Sequence, residues 1–124
     1  MLKVVLTGWA GLVWAGEAPD SASQPDIEQG QAIYQKHCVE CHGTGGRGDG
    51  PRAALLAPRP GNLVSAATST KTDEELLEII ERGVARTAMR GWEKELTSEE
   101  RRNVLAFVRS LVHFRESAQT PPPP

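Results

Sequence analysis

A chain of 124 residues, 39% hydrophobic and with a formal charge of -2, holds one small domain with tails and buries too little apolar surface for a wide stability margin. The near balance of charge lacks the strongly basic signature of a nucleic-acid binder. The two cysteines, Cys38 and Cys41, would close only a tiny loop if bridged, which excludes a disulfide scaffold.

Residues 1–15, "MLKVVLTGWAGLVWA", carry Lys3 and then an apolar run from Val4, and read as a secretory signal peptide cleaved after Ala15. Ala18 is the weaker site because a proline follows it. The run is shorter than the roughly 20 residues that span a bilayer, so no stable membrane span is expected once the signal is removed. A buried N-terminal helix or strand of the mature domain is the competing reading; a signal implies export, to a periplasm or its equivalent. Residues 16–25 are polar and proline-bearing, a flexible linker, and the domain itself is placed at 26–114.

Three helices are predicted. Asp26 and Gln29 have the spacing of a helix start ahead of Ile27, Ile33 and Tyr34; Thr72 and Glu75 form a second capping box, with a stop at Gly83. Thr97 and Glu100 form a third, opening a helix whose broad apolar face runs from Val104 to Val112 and which is expected to end near His113. Residues 43 to 70, with six glycines and three prolines, predict a long irregular loop, and such a loop in a compact unit usually wraps something. Residues 115–124 read as a disordered, proline-ended tail. No strand alternation or repeat is visible, so the fold class is all-α.

The chemistry is concentrated in "HCVECHGTGGRGDGP", residues 37 to 51. Cys-x-x-Cys-His reads as covalent haem attachment: two thiols add to two porphyrin vinyl groups, and the adjoining imidazole reaches the iron. That assigns one haem c to Cys38 and Cys41, with His42 as a metal ligand. A redox dithiol would need a βαβ context, and a structural zinc would need four ligands where only His113 remains beyond this stretch. If His42 takes one axial position, the other decides between electron transfer and small-molecule binding. Met1 would leave with the signal, so Met89 is the candidate thioether ligand; His37 directly precedes a thioether cysteine and reads as a surface or propionate-side residue.

These residues resemble class I cytochrome c of the small bacterial single-haem kind, over about residues 27 to 112. "GQAIYQKHCVECHG" is similar to the family's first helix and haem site, "GRGDGPRAALLAPRPGNL" to its haem-wrapping loop, "TAMRGW" to its methionine loop and "LTSEERRNVLAFVRSL" to its last helix. The resemblance implies that the first and last helices cross with Gly30 at the close approach and Tyr34 and Phe107 packed beside it. It further implies a proline carbonyl accepting from the proximal imidazole, with Pro51 the first choice and Pro58 the second. Trp92 is expected beside the haem or a propionate, or else as an ordinary core aromatic. One departure is Arg90, where family members often carry proline after the methionine.

The function expected is one-electron transfer between redox proteins docking transiently at the haem edge, without substrate turnover. The alternatives are a five-coordinate or methionine-labile haem sensor or enzyme, and a subunit of a larger oxidoreductase complex. Arg47, Arg52, Arg59, Arg82, Arg86 and Arg90 flank the expected haem, either as a rim that steers an acidic partner or as propionate partners and solvated loop residues.

Overall fold

The computed structural model describes residues 24 to 119 continuously, with side chains to Val112, together with Gly8 and Gly11. Apart from those two glycines, the expected signal peptide, most of the linker and the last five residues of the tail lie outside the described residues. The helices are α1 (Ile27–His37), α2 (Val39–His42), α3 (Ala66–Ser69), α4 (Asp73–Arg82) and α5 (Ser98–Gln119), with a 3-10 turn at Ala53–Leu55. The fold is all-α, and α1, α4 and α5 are the three helices legible in sequence.

Each main helix starts where a side chain satisfies its free N–H groups. Thr72 accepts from the Glu75 N–H at 3.2 Å while the Glu75 carboxylate accepts from the Thr72 N–H at 2.8 Å. Thr97 and Glu100 repeat the exchange at 3.1 and 2.8 Å. At α1 only half of it forms. The Asp26 carboxylate accepts from the Gln29 N–H at 3.0 Å, but the Asp26 N–H donates to the side-chain oxygen of Asn103 in α5, 77 residues away, at 2.8 Å.

That long bond belongs to the main packing of the domain, α1 against α5. Tyr34, Val104, Phe107 and Val108 form the buried cluster, with Ile33, Cys38, Val39, Leu63, Ile80 and Leu111 packed on it. The Tyr34 and Phe107 rings meet at 5.1 Å and 56°, a tilted contact favoured by the ring quadrupoles. Gly30 is buried where the helices touch, and a Cβ there would run into the Asn103 carbonyl and lie 3.1 Å from the Phe107 Cβ. α4 meets α5 through Ile80, packed on the buried cluster, and two ion pairs, Arg101–Glu81 at 3.6 Å and Arg109–Asp73 at 2.9 Å.

Two departures from the sequence reading have local causes. The loop of residues 43 to 70 contains α3, whose start is made by the Ser65 hydroxyl accepting from the Thr68 N–H at 3.4 Å; four residues are too few to show a helical period. α5 continues past His113 to Gln119, which covers the first half of the expected tail. "HFRESAQ" contains no glycine or proline, so nothing in it breaks the helix.

The Tyr34 hydroxyl donates to the Gly43 carbonyl at 2.6 Å, tying α1 to the turn behind His42. Burial first, then the charges of Cys38 and Asp49, raise this hydroxyl well above its ordinary pKa of 10.0. A raised pKa means that the fold favours the neutral form. The contribution is complete below about pH 10 and fades at higher pH as the unfolded chain ionises. Tyr34→Phe is expected to cost about 1 kcal/mol. Urea unfolding at about pH 8 and about pH 11 should show the gap between wild type and variant shrinking at the higher pH; an unchanged gap would contradict the assignment.

Candidate haem site

α1 ends at His37, and the Cys38 N–H bonds back to the Tyr34 carbonyl at 2.8 Å, so the chain turns directly into the single turn of α2. Within it the Cys41 and His42 N–H groups donate to the Cys38 carbonyl at 3.2 and 2.9 Å. Residues three and four apart share a helix face, so Cys38, Cys41 and His42 are presented together. Both cysteines are free thiols. Burial, with Cys41 adding to it, pushes the Cys38 thiol up to about 11, so its sulfur is held neutral.

The carbonyl end of α2 would be left without partners, and the glycine-rich stretch supplies them. N–H groups of Gly48, Gly50 and Arg52 donate to the carbonyls of His42, Cys41 and Glu40 at 2.9, 3.1 and 2.8 Å. A Cβ on Gly50 would collide with the Val39 and Glu40 carbonyls, so the strap can lie this close only with glycine there. The opening glycines thus brace the attachment turn.

His42 Nδ1 lies 3.0 Å from the Gly61 carbonyl. A carbonyl only accepts, so Nδ1 carries the proton and Nε2 keeps its lone pair. Burial lowers the imidazole pKa, against which the Gly61 bond acts, and the net effect favours a neutral ring as ligand. The acceptor differs from the expected Pro51 and from Pro58. Pro51 sits in the strap between Gly50 and Arg52, whose N–H groups bond the Cys41 and Glu40 carbonyls. Nothing in the spacing singles out Gly61; it arrives because Leu63 N–H donates to the Gly46 carbonyl at 2.6 Å and folds the loop back.

Met89 is half-buried in a hairpin after α4. The Val84 N–H donates to the Met89 carbonyl at 2.9 Å, Gly83 pairs with Arg90, and the Thr87 hydroxyl donates to the Val84 carbonyl at 2.8 Å while accepting from the Met89 N–H at 3.1 Å. Trp92 is half-buried and stands apart from the core cluster. Its backbone N–H donates to the Ile80 carbonyl at 2.9 Å, and its ring meets that of His37 at 4.7 Å. His37 is therefore half-buried against the methionine segment, and burial, Lys36 and Arg90 lower its pKa, with Glu100 opposing.

Of the six arginines expected around the haem, three meet carboxylates: Arg52 with Glu40 at 3.7 Å, Arg82 with Glu78 at 3.4 Å, and Arg90 with Glu95. These pairs are exposed and contribute little each.

An all-α domain of three principal helices, a Cys-x-x-Cys-His turn with both thiols free and an imidazole held in its ligating tautomer defines a c-type cytochrome; the donor set fits a covalently held haem. Residues 25–108 match the family described as cytochrome c oxidase, cbb3-type, subunit III, and the chain belongs to this cytochrome c family. It is 33% identical over 110 residues to cytochrome c55X of Paracoccus denitrificans, covering 86% of this chain and 91% of the relative. Among solved structures it is similar to a chain of the Kuenenia stuttgartiensis reducing HAO-like protein complex Kustc0457/Kustc0458, with TM-score 0.63 and 31% identity over 80% of this chain. The match spans 47% of that longer chain. The KustC0563 c-type cytochrome matches with TM-score 0.57 and 26% identity, over 66% of this chain and 95% of that one. The chain is a haem-binding electron carrier of this family. Among the described residues no helix is long and apolar enough to cross a membrane.

Proposed function

We propose that the chain is an exported one-electron carrier with a single haem c, joined through Cys38 and Cys41 and ligated by His42 Nε2 and Met89 Sδ. The observation that carries this reading is the Nδ1–Gly61 hydrogen bond, which fixes the tautomer that a ligand to iron requires. Haem, when bound, supplies one iron that takes up and releases one electron. The protein's own part is positional. The braced α2 turn holds the attachment sulfurs, Gly61 orients the imidazole, and the closed hairpin presents a thioether whose pairing with histidine raises the reduction potential. Ligands held in both oxidation states keep reorganisation small.

The absorption spectrum and intact mass of the exported protein test the reading together. The expected result is a mature chain, shortened by its signal, that carries one haem and, when oxidised, a methionine-to-iron charge-transfer band. Absence of that band with ready CO binding by the reduced form would favour the five-coordinate sensor or enzyme instead. A place in a larger oxidoreductase complex is the second reading, favoured by the family's description as an oxidase subunit and by the match to one part of a longer chain in a complex.

For partners, the reading is transient docking of an acidic redox protein at a rim containing the exposed Arg47, Arg59 and Arg86. The rate of transfer to such a partner should fall about tenfold as the Debye length contracts from roughly 30 Å to roughly 8 Å. A flat salt dependence would sink steering.

A further inference from the structure

The hairpin that bears Met89 is closed at its base by backbone pairing, Val84 with Met89 and Gly83 with Arg90, and by the Thr87 hydroxyl, both inside the hairpin. Neither ties it to the turn that carries the attachment cysteines. That tie runs through side chains. The Arg90 guanidinium lies 4.6 Å from the centre of the Trp92 ring and is paired with Glu95. Trp92 in turn meets His37, the last residue of α1 and the neighbour of Cys38, in a tilted contact at 4.7 Å and 50°. A continuous chain of side-chain contacts therefore runs from the residue after Met89 to the residue before Cys38.

Each contact alone is modest, since the Arg90 and Glu95 side chains are 57% and 46% exposed. Together they leave the guanidinium little freedom: one nitrogen meets a carboxylate while the central carbon lies over an indole, a combination that a lysine does not reproduce. We propose that Arg90, held by Glu95 and Trp92, is a positioning residue that fastens the Met89 hairpin to the end of α1. It stands in for the stiffness that a proline at this position would give. The inference rests on Met89 being the sixth ligand.

An added ligand such as imidazole reaches the iron only when the hairpin is open, so its apparent affinity reports the open fraction. Imidazole is titrated into the oxidised holoprotein while the methionine-to-iron band is followed, for wild type, Arg90→Gln, Glu95→Gln, the double variant and Arg90→Lys. Arg90→Gln and Glu95→Gln should each bind imidazole about fivefold more tightly than wild type. The double variant should be no worse than the worse single one, because both act through one contact, and Arg90→Lys should recover only part of the loss. If the wild type lacks the band, the assignment of Met89 as ligand fails. If the band is present and all variants titrate within about twofold of wild type, the positioning role fails and the ligand assignment stands. A lowered thermal midpoint with unchanged imidazole affinity would equally overturn the role, leaving ordinary surface packing.

Discussion

Met89→Ala is expected to remove the methionine-to-iron charge-transfer band, to let the reduced protein bind CO, and to lower the reduction potential by on the order of 0.2 V, a fraction of the ~0.8 V over which axial ligands set haem potentials. The direction follows from the ligand's chemistry: a neutral, soft thioether favours the reduced metal, and its loss favours the oxidised one. Met89→His separates the two consequences, since a nitrogen ligand should close the site to CO while still lowering the potential. Neither variant touches the core cluster of Tyr34, Val104, Phe107 and Val108, so the fold should persist with haem attached. Potentiometry and CO titration of the two variants check the prediction. A potential within about 0.03 V of wild type in Met89→Ala, against that ~0.8 V range, would show that another group ligates the iron.

What could be read from the sequence, and what could not, divides along local against long-range bonding. The capping pairs Thr72 with Glu75 and Thr97 with Glu100 are three residues apart, so the side chains that start α4 and α5 are visible as a pattern, and both exchanges form. Cys-x-x-Cys-His is likewise local, since one turn places its three side chains together. The acceptor for His42 was not legible, because Gly61 is 19 residues away and offers only a backbone carbonyl, a group every residue has. The family resemblance points to a proline in the same loop, but Pro51 lies in the strap that its neighbours bond to the Cys41 and Glu40 carbonyls. The role of Asn103 is not legible for a related reason: it sits on the apolar face of α5, and its partner, the Asp26 N–H, is 77 residues away. The place of Trp92, against His37 rather than in the buried cluster, depends on where α4 and α1 lie relative to each other. Spacing along a chain carries no information on that.

Gly30→Ala should be the most damaging small substitution outside the haem ligands. In an isolated helix the change would help by about 1 kcal/mol, because alanine is the better helix former. Here the added Cβ points into the Asn103 carbonyl of α5, and a backbone carbonyl inside a helix cannot rotate away as a side chain can. The two helices must separate, which strains the Asp26–Asn103 bond and the Tyr34–Phe107 contact on either side of the crossing. Overpacking of this sort costs typically 1–3 kcal/mol; with a rigid partner we expect a net loss near the top, about 3 kcal/mol, and a thermal midpoint lower by roughly 10–20 °C. Because α1 leads straight into the Cys38 turn and carries His37 against Trp92, the same shift should weaken the methionine band in protein that is still folded. Thermal unfolding of the oxidised holoprotein, followed by far-ultraviolet circular dichroism and by that band, checks both parts. A midpoint within about 3 °C of wild type would mean that the helices have slack at this crossing and that Gly30 is not there for close approach.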